Sequence, residues 1–320
     1  MPFSSRLTAP PGRLVDVGGH RLHLRSEGEG TPAVAFDAAL GGSSLSWSLV
    51  APGVAAVTRA CTYDRGGFGW SDGGPLPRTA GRIAGELYGL LLNAGVPPPW
   101  ILVGHSYGAL VMQLIAARHS NCVAGLVLLE PADPDEWMHP SDVQRQQIAR
   151  GTKLCRHGVQ AARLGVARVL TALVNVGAIG AAWTVVKLVS RGGLGRADEQ
   201  ILAPVWKLPP ATRGVLKHMW TQPKFFEALG SQIASISESA GEVLREAPGH
   251  FGNLPLIVLT AAGAQERRMR ADAALAARST RGRHVLVPDS GHWIPLDAPD
   301  AVVRVVTDLV NEIRAGLPEA

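Results

Sequence analysis

Cysteine is scarce: Cys61, Cys122 and Cys155 are the only three in 320 residues, and no two form a CxxC pair. That excludes a disulfide framework and the common zinc spacings, and it predicts a reducing compartment. Charge is thin as well, at 18% of residues with a net +5, and the basic residues are scattered. Without a basic block there is no electrostatic footprint for nucleic acid, so none is expected as a partner. The opening stretch MPFSSRLTAPPGRLV lacks the apolar run of a secretory leader, which predicts a cytoplasmic protein. Neither GxxxxGK[ST] nor GxGxxG with an acidic partner occurs in context, and no His/Asp cluster has metal-ligand spacing. No nucleotide, cofactor or metal is therefore expected.

What the chain has is apolar and full of turns: 46% hydrophobic residues, 37 glycines and 23 prolines. Its length suits one α/β core carrying an insertion. RLVDV and HRLHLRSEG flank Gly18-Gly19 and predict an antiparallel hairpin. PAVAFDA, ACTYD, WILVGH, AGLVLLE, PLIVLTA and RHVLVPD come next as short apolar runs. Helical patterns such as RTAGRIAGELYGLLLNAG and ALVMQLIAARHS lie between several of them. Near-continuous apolar strands separated by helices predict a mostly parallel sheet covered on both faces, with ligands gathering beyond the carboxyl ends of the strands.

At one such end, WILV enters Gly104-His105-Ser106-Tyr107-Gly108 and a helical pattern leaves it. Strand, GxSxG and helix in that order describe a sharp elbow that lifts a serine hydroxyl above the sheet, with glycines flanking it so the backbone can pass closely. A serine is a poor nucleophile until a base takes its proton, so a histidine must lie further along the chain. Of the ten, His292 stands out: it comes after the run RHVLVPD and the Ser290-Gly291 turn, just before the last helical pattern.

These motifs together resemble the α/β-hydrolases, over about residues 13 to 133 and 251 to 315. AFDAALGGSSLSW is similar to the family's oxyanion loop, YDRGGFGWSD to the loop after its fourth strand, and SGHWIPLDAPDAVV to its histidine segment. The resemblance implies an α/β-hydrolase fold with a core at 1–133 and 251–320 and a helical cap at 134–250. It implies Ser106 as nucleophile, His292 as base, and an oxyanion hole from the backbone N–H of Tyr107 and of Leu40, with Ala39 as the rival one place earlier. Ala38-Ala39 stand where the family usually has His-Gly, and Gly41-Gly42 supply compensating freedom.

The acid departs from the family's usual place. LPLIVLTAAGAQERR, the seventh strand with the turn after it, offers Glu266 but no Asp, and Asp272 comes only further on. AGLVLLEPADPDEW places Glu130 at the end of the sixth strand, where the haloalkane-dehalogenase branch carries its acid. Glu130 ranks first, then Glu266, then Asp133. That branch and the epoxide hydrolases attack with an Asp at the elbow; Ser106 instead implies attack on acyl carbon and ester hydrolysis, with carbon–carbon or thioester cleavage, or a weakly catalytic binding protein, as alternatives. Asp64 and Arg65 are expected to pair and brace their loop. In the cap, Trp137, Trp183, Trp206 and Trp220, with Met219, Phe225 and Phe226, are candidate pocket residues for an apolar small-molecule ester. The uncharged stretch from Val169 to Val186 is expected to be a buried or lid helix, peripheral membrane contact being the less favoured reading.

Overall fold

A computed structural model describes residues 10–166, 207–247 and 249–316. Trp183, Trp206 and the stretch 169–186 lie outside the described residues. Eight strands form one sheet: β1 (Arg13–Asp16), β2 (Arg21–Glu27), β3 (Ala33–Asp37), β4 (Ala60–Tyr63), β5 (Trp100–His105), β6 (Val123–Leu129), β7 (Leu256–Ala261) and β8 (Gly282–Val287). Their order is β1-β2-β4-β3-β5-β6-β7-β8. The pairs β1–β2 and β2–β4 are antiparallel and all others parallel. Every strand falls on one of the apolar runs, and Gly18 and Gly19, at φ +100° and +96°, turn the expected hairpin.

The central strands read as unbroken apolar runs because both faces are covered, yet a period of two sorts their side chains. Trp100 and Leu102 of β5, Leu126 and Leu128 of β6, and Leu256 and Val258 of β7 enter one core layer. The helices Ala80–Asn93, Tyr107–Arg118 and Ile236–Glu246 complete that layer. Ile101, Val103, Val127, Leu129, Ile257 and Leu259 enter the opposite layer, closed by Val54 and by Val302, Val306 and Leu309 of the helix Pro299–Ala315.

Two features mark the helices between β6 and β7. Asp142–Arg163 runs as one helix through Gly151, started by a reciprocal cap between Ser141 and Gln144. Its glycines serve close packing: a Cβ on Gly158 would lie 2.4 Å from the Phe226 ring, and one on Gly151 would lie 3.2 Å from Ile233. Conversely, residues 224–247 carry a continuous helical pattern in sequence, KFFEALGSQIASISESAGEVLREA, but break at Ser235 into Pro223–Ala234 and Ile236–Glu246. The break lets the second half turn its Ile236 and Val243 into the core layer beneath the elbow helix. Among the described residues no helix is long and apolar enough to cross a membrane.

Candidate active site

β5 ends in the elbow. Ser106 sits at φ 53°, ψ −114°, a conformation that costs a non-glycine residue roughly 1–3 kcal/mol and persists only where its surroundings fix it. Here the end of β6 does so. The Ser106 N–H donates to the Leu129 carbonyl at 2.9 Å, and the Ser106 carbonyl accepts from the Ala132 N–H at 3.1 Å. The flanking glycines are sterically required: a Cβ on Gly104 would lie 2.7 Å from the Gly108 carbonyl oxygen, and one on Gly108 would lie 2.5 Å from that of Asp37. Tyr107 opens the helix Tyr107–Arg118, so its N–H belongs to the first-turn donors that a helix leaves without an intrahelical acceptor.

Glu130, one residue past β6, also has a positive φ, 44°. Its N–H donates to the Leu259 carbonyl at 2.8 Å, while its Oε1 accepts from the Ala261 N–H at 2.7 Å, so β7 holds both ends of the residue. Its Oε2 is left to face His292 Nδ1 at 3.3 Å. Burial alone would raise the Glu130 pKa; the hydrogen bonds from His292 and Ala261 and the charge of Arg268 outweigh it and hold the carboxyl below its ordinary range. The carboxylate is therefore ionised and able to orient an imidazole.

Of Glu266, Asp133 and Asp272, none is bonded to His292. Glu266 is exposed and ion-paired with Arg270 one helical turn on. Asp133 caps the helix Pro134–Met138 by accepting from the Asp135 N–H at 3.0 Å. Asp272 is buried, but it accepts from Thr260 Oγ1 at 2.7 Å and pairs with Arg268 at 3.0 Å.

His292 lies on the loop after β8, and its anchor is a residue that the motifs do not single out. His105 Nε2 donates to the His292 carbonyl at 2.7 Å, and the two rings lie 5.0 Å apart. His105 is the immediate neighbour of Ser106, so the bond brings the His292 segment to the elbow itself. Burial, followed by the neighbouring charge of His292, pushes the His105 pKa down to about 3, so it is a neutral donor. Its position holds a signal: residue 105 shares parity with Ile101 and Val103, which face the layer against which the C-terminal helix packs.

Asp64 and Arg65 do not pair with each other. Asp64 is completely buried against His23 Nδ1 at 2.9 Å and accepts from the Ser44 N–H at 2.8 Å and the Trp70 N–H at 3.1 Å. His23 Nε2 meets the Pro11 carbonyl at 2.9 Å, so acceptors face both of its ring nitrogens. Arg65 pairs instead with Asp37 at 2.8 Å and donates to the carbonyls of Ala38 and Ala39. The expected pair does not form because the two neighbours leave β4 in different directions.

Leu40, beyond that pair of carbonyls, is half-buried, and a Cβ on Gly41 would lie 3.3 Å from Leu229 of the insert. Trp220 and Phe226 pack on Phe225, which meets Phe68 from the loop after β4. Met219 is buried with Leu45, Trp70 and Leu296, whereas Trp137 packs on the main core. Among the described residues no group of three or more His, Cys, Asp or Glu side chains could hold a metal ion.

Comparison with known proteins agrees with this architecture. Residues 33–152 match the family model of the alpha/beta hydrolase fold. The uncharacterized protein YqjL of Bacillus subtilis is 34% identical over 141 residues, covering 41% of this chain and 56% of YqjL. The match spans about half the length of that relative. An esterase of Thermogutta terrifontis aligns with TM-score 0.64 at 18% identity, over 92% of this chain and 94% of the esterase. The epoxide hydrolase CorEH aligns with TM-score 0.67 at 16% identity, over 94% and 99%. Family match, sheet order and a serine elbow at the end of β5 converge on one architecture: the chain has the alpha/beta hydrolase fold, and its residues 33–152 match that family's model.

Proposed function

We propose that the protein is a serine hydrolase that cleaves carboxylic esters of small apolar substrates through an acyl-enzyme. The observation that carries this is the closed circuit at the strand ends: Ser106 hooked to β6, Glu130 hooked to β7 and bonded to His292, and the His292 carbonyl held by the residue beside Ser106. In the first half-reaction Ser106 Oγ attacks the acyl carbon while His292 takes its proton and then gives it to the departing alcohol. Glu130, ionised, favours the tautomer that bears a proton on Nδ1 and stabilises the imidazolium that forms. Backbone N–H groups of Tyr107 and of the Ala39–Leu40 segment receive the developing oxyanion. Water activated by His292 then releases the acid.

A serine at the elbow fits acyl transfer, whereas opening an epoxide through a covalent ester calls for a carboxylate there. The helices Asp142–Arg163 and Pro223–Ala234 serve in this reading as a cap, whereas Ile236–Glu246 belongs to the core layer, and Trp220, Phe225 and Leu229 give the cap an apolar character that suits a hydrocarbon or aryl group. The test is a series of 4-nitrophenyl esters of increasing acyl length, with a fluorophosphonate label read by mass spectrometry. Turnover and a single label on Ser106 are expected, both abolished in Ser106→Ala, with a rate loss on the order of 10⁴-fold or more. A wild-type protein that neither turns over an ester nor takes the label would refute the reading.

A further inference from the structure

Arg65 has a place that neither the hydrophobic core nor the triad explains. It is 2% exposed, and its guanidinium faces three oxygens: Nε donates to Asp37 Oδ1 at 2.8 Å, Nη1 to the Ala39 carbonyl at 3.2 Å, and Nη2 to the Ala38 carbonyl. The Tyr107 ring lies beneath it, 5.1 Å from Cζ. Ala38 also touches the elbow, since a Cβ on Gly108 would lie 2.7 Å from the Ala38 carbonyl oxygen. One buried cation therefore grips two consecutive peptide units at the point where the β3 loop crosses the start of the elbow helix.

Peptide geometry gives this grip a direction. In a planar trans peptide the C=O and the next N–H point in opposite directions. Carbonyls 38 and 39 turned toward the buried guanidinium leave the N–H groups of Ala39 and Leu40 pointing away from it, toward the side where Leu40 is partly exposed. A carbonyl that accepts from a cation also polarises its own peptide, making that N–H a stronger donor. Gly41, at φ +74°, and Gly42 follow directly and leave the loop free to take other courses, and the guanidinium fixes the one it takes.

We propose that Arg65 is the positioning residue of the oxyanion hole, holding the Ala38 and Ala39 carbonyls so that the N–H groups of Ala39 and Leu40 meet the oxyanion formed at Ser106. The proposal rests on the acyl-transfer reading above. It gives Arg65 no contact with substrate and makes its effect specific to the transition state. A lysine keeps the charge but is a point donor that cannot grip both carbonyls and Asp37 in one plane.

The experiment compares wild type, Arg65→Lys and the double variant Asp37→Asn/Arg65→Met, which leaves no orphaned carboxylate. Folding is checked by circular dichroism. Each is assayed for kcat and KM on a 4-nitrophenyl ester and for inhibition by an aryl trifluoromethyl ketone, whose hemiketal oxyanion imitates the tetrahedral intermediate. The double variant is expected to lose about 100-fold in kcat with KM within about threefold, ketone affinity falling by a similar factor. Arg65→Lys should fall between the two. A folded variant of either kind with kcat within about threefold of wild type, or one that loses only in KM, would overturn the proposal while leaving the hydrolase reading intact. A wild type that turns over no ester would overturn both.

Discussion

The ends of β6 and β7 are neighbours in one sheet and start from similar apolar runs, yet they treat a carboxylate in opposite ways. Past β6, Glu130 comes directly after Leu129, adopts φ 44° and is roofed by the β7 backbone and His292. Past β7, the chain makes a turn first, and Glu266 emerges on the exposed start of a helix with Arg270 as its partner. The carboxylate that the β7 region does bury, Asp272, is engaged by Thr260 and Arg268. In this molecule the carboxylate that faces the histidine is the one that arrives before the chain turns away, in a buried place that keeps its charge effective. Immediate adjacency to the strand end, rather than residue type, distinguishes Glu130 from its rivals.

The sharpest way to break that comparison is Glu130→Gln. The amide keeps the shape and one acceptor but removes the charge that stabilises the imidazolium, and it can favour the wrong tautomer of His292. We expect kcat to fall on the order of 10³–10⁴-fold on an aryl ester, with KM little changed. A mild loss of about threefold would mean that His292 works without Glu130, and that the β6 end is structural.

Much of this is legible in the sequence because it is written locally. Strands show as apolar runs, the elbow as glycines that sterics requires at 104 and 108, and Glu130 as an acid abutting an apolar run. What is not legible depends on direction and on distant partners. His105 looks like an ordinary member of the pentapeptide, and only its parity in β5 aims it at the loop carrying His292. Adjacency suggests Asp64 as the partner of Arg65, because the sequence does not show that Asp37 lies closer in space. The break at Ser235 is hidden because the helical pattern continues through it; the break is set by what the second half packs against, namely Tyr107, whose hydroxyl lies 3.1 Å from Ser239 Oγ.

A middle-sized effect sharpens the comparison from the β5 side. His105 takes up a proton near its ordinary value of 6.5 in the unfolded chain but only near 3 in the folded one. A depressed histidine pKa contributes stability that is fully present above 6.5 and is lost as pH falls from 6.5 toward 3, because the unfolded state binds the proton first. The contribution is on the order of a few kcal/mol. Glu130, whose folded pKa is also lowered, acts in the same direction, losing its contribution as pH falls through the folded value. In His105→Gln, which retains a donor for the His292 carbonyl, urea midpoints measured from pH 7 to pH 4 should decline less steeply than in wild type. Parallel declines would show that His105 does not resist protonation in the fold.

The smallest effect belongs to the carboxylate that family habit would favour. Glu266→Gln removes one half of an exposed pair spaced four residues apart on a helix, an arrangement of little energetic consequence in water. Aryl ester turnover should stay within about twofold of wild type, and the urea midpoint should not move measurably. Because both substitutions change a carboxylate to an amide, their ratio cancels any general effect of lost negative charge near the site. If Glu266→Gln instead matched Glu130→Gln in its loss, the acid would have to be supplied from the β7 side by a rearranged loop. Burial at the strand end would then no longer be what selects it.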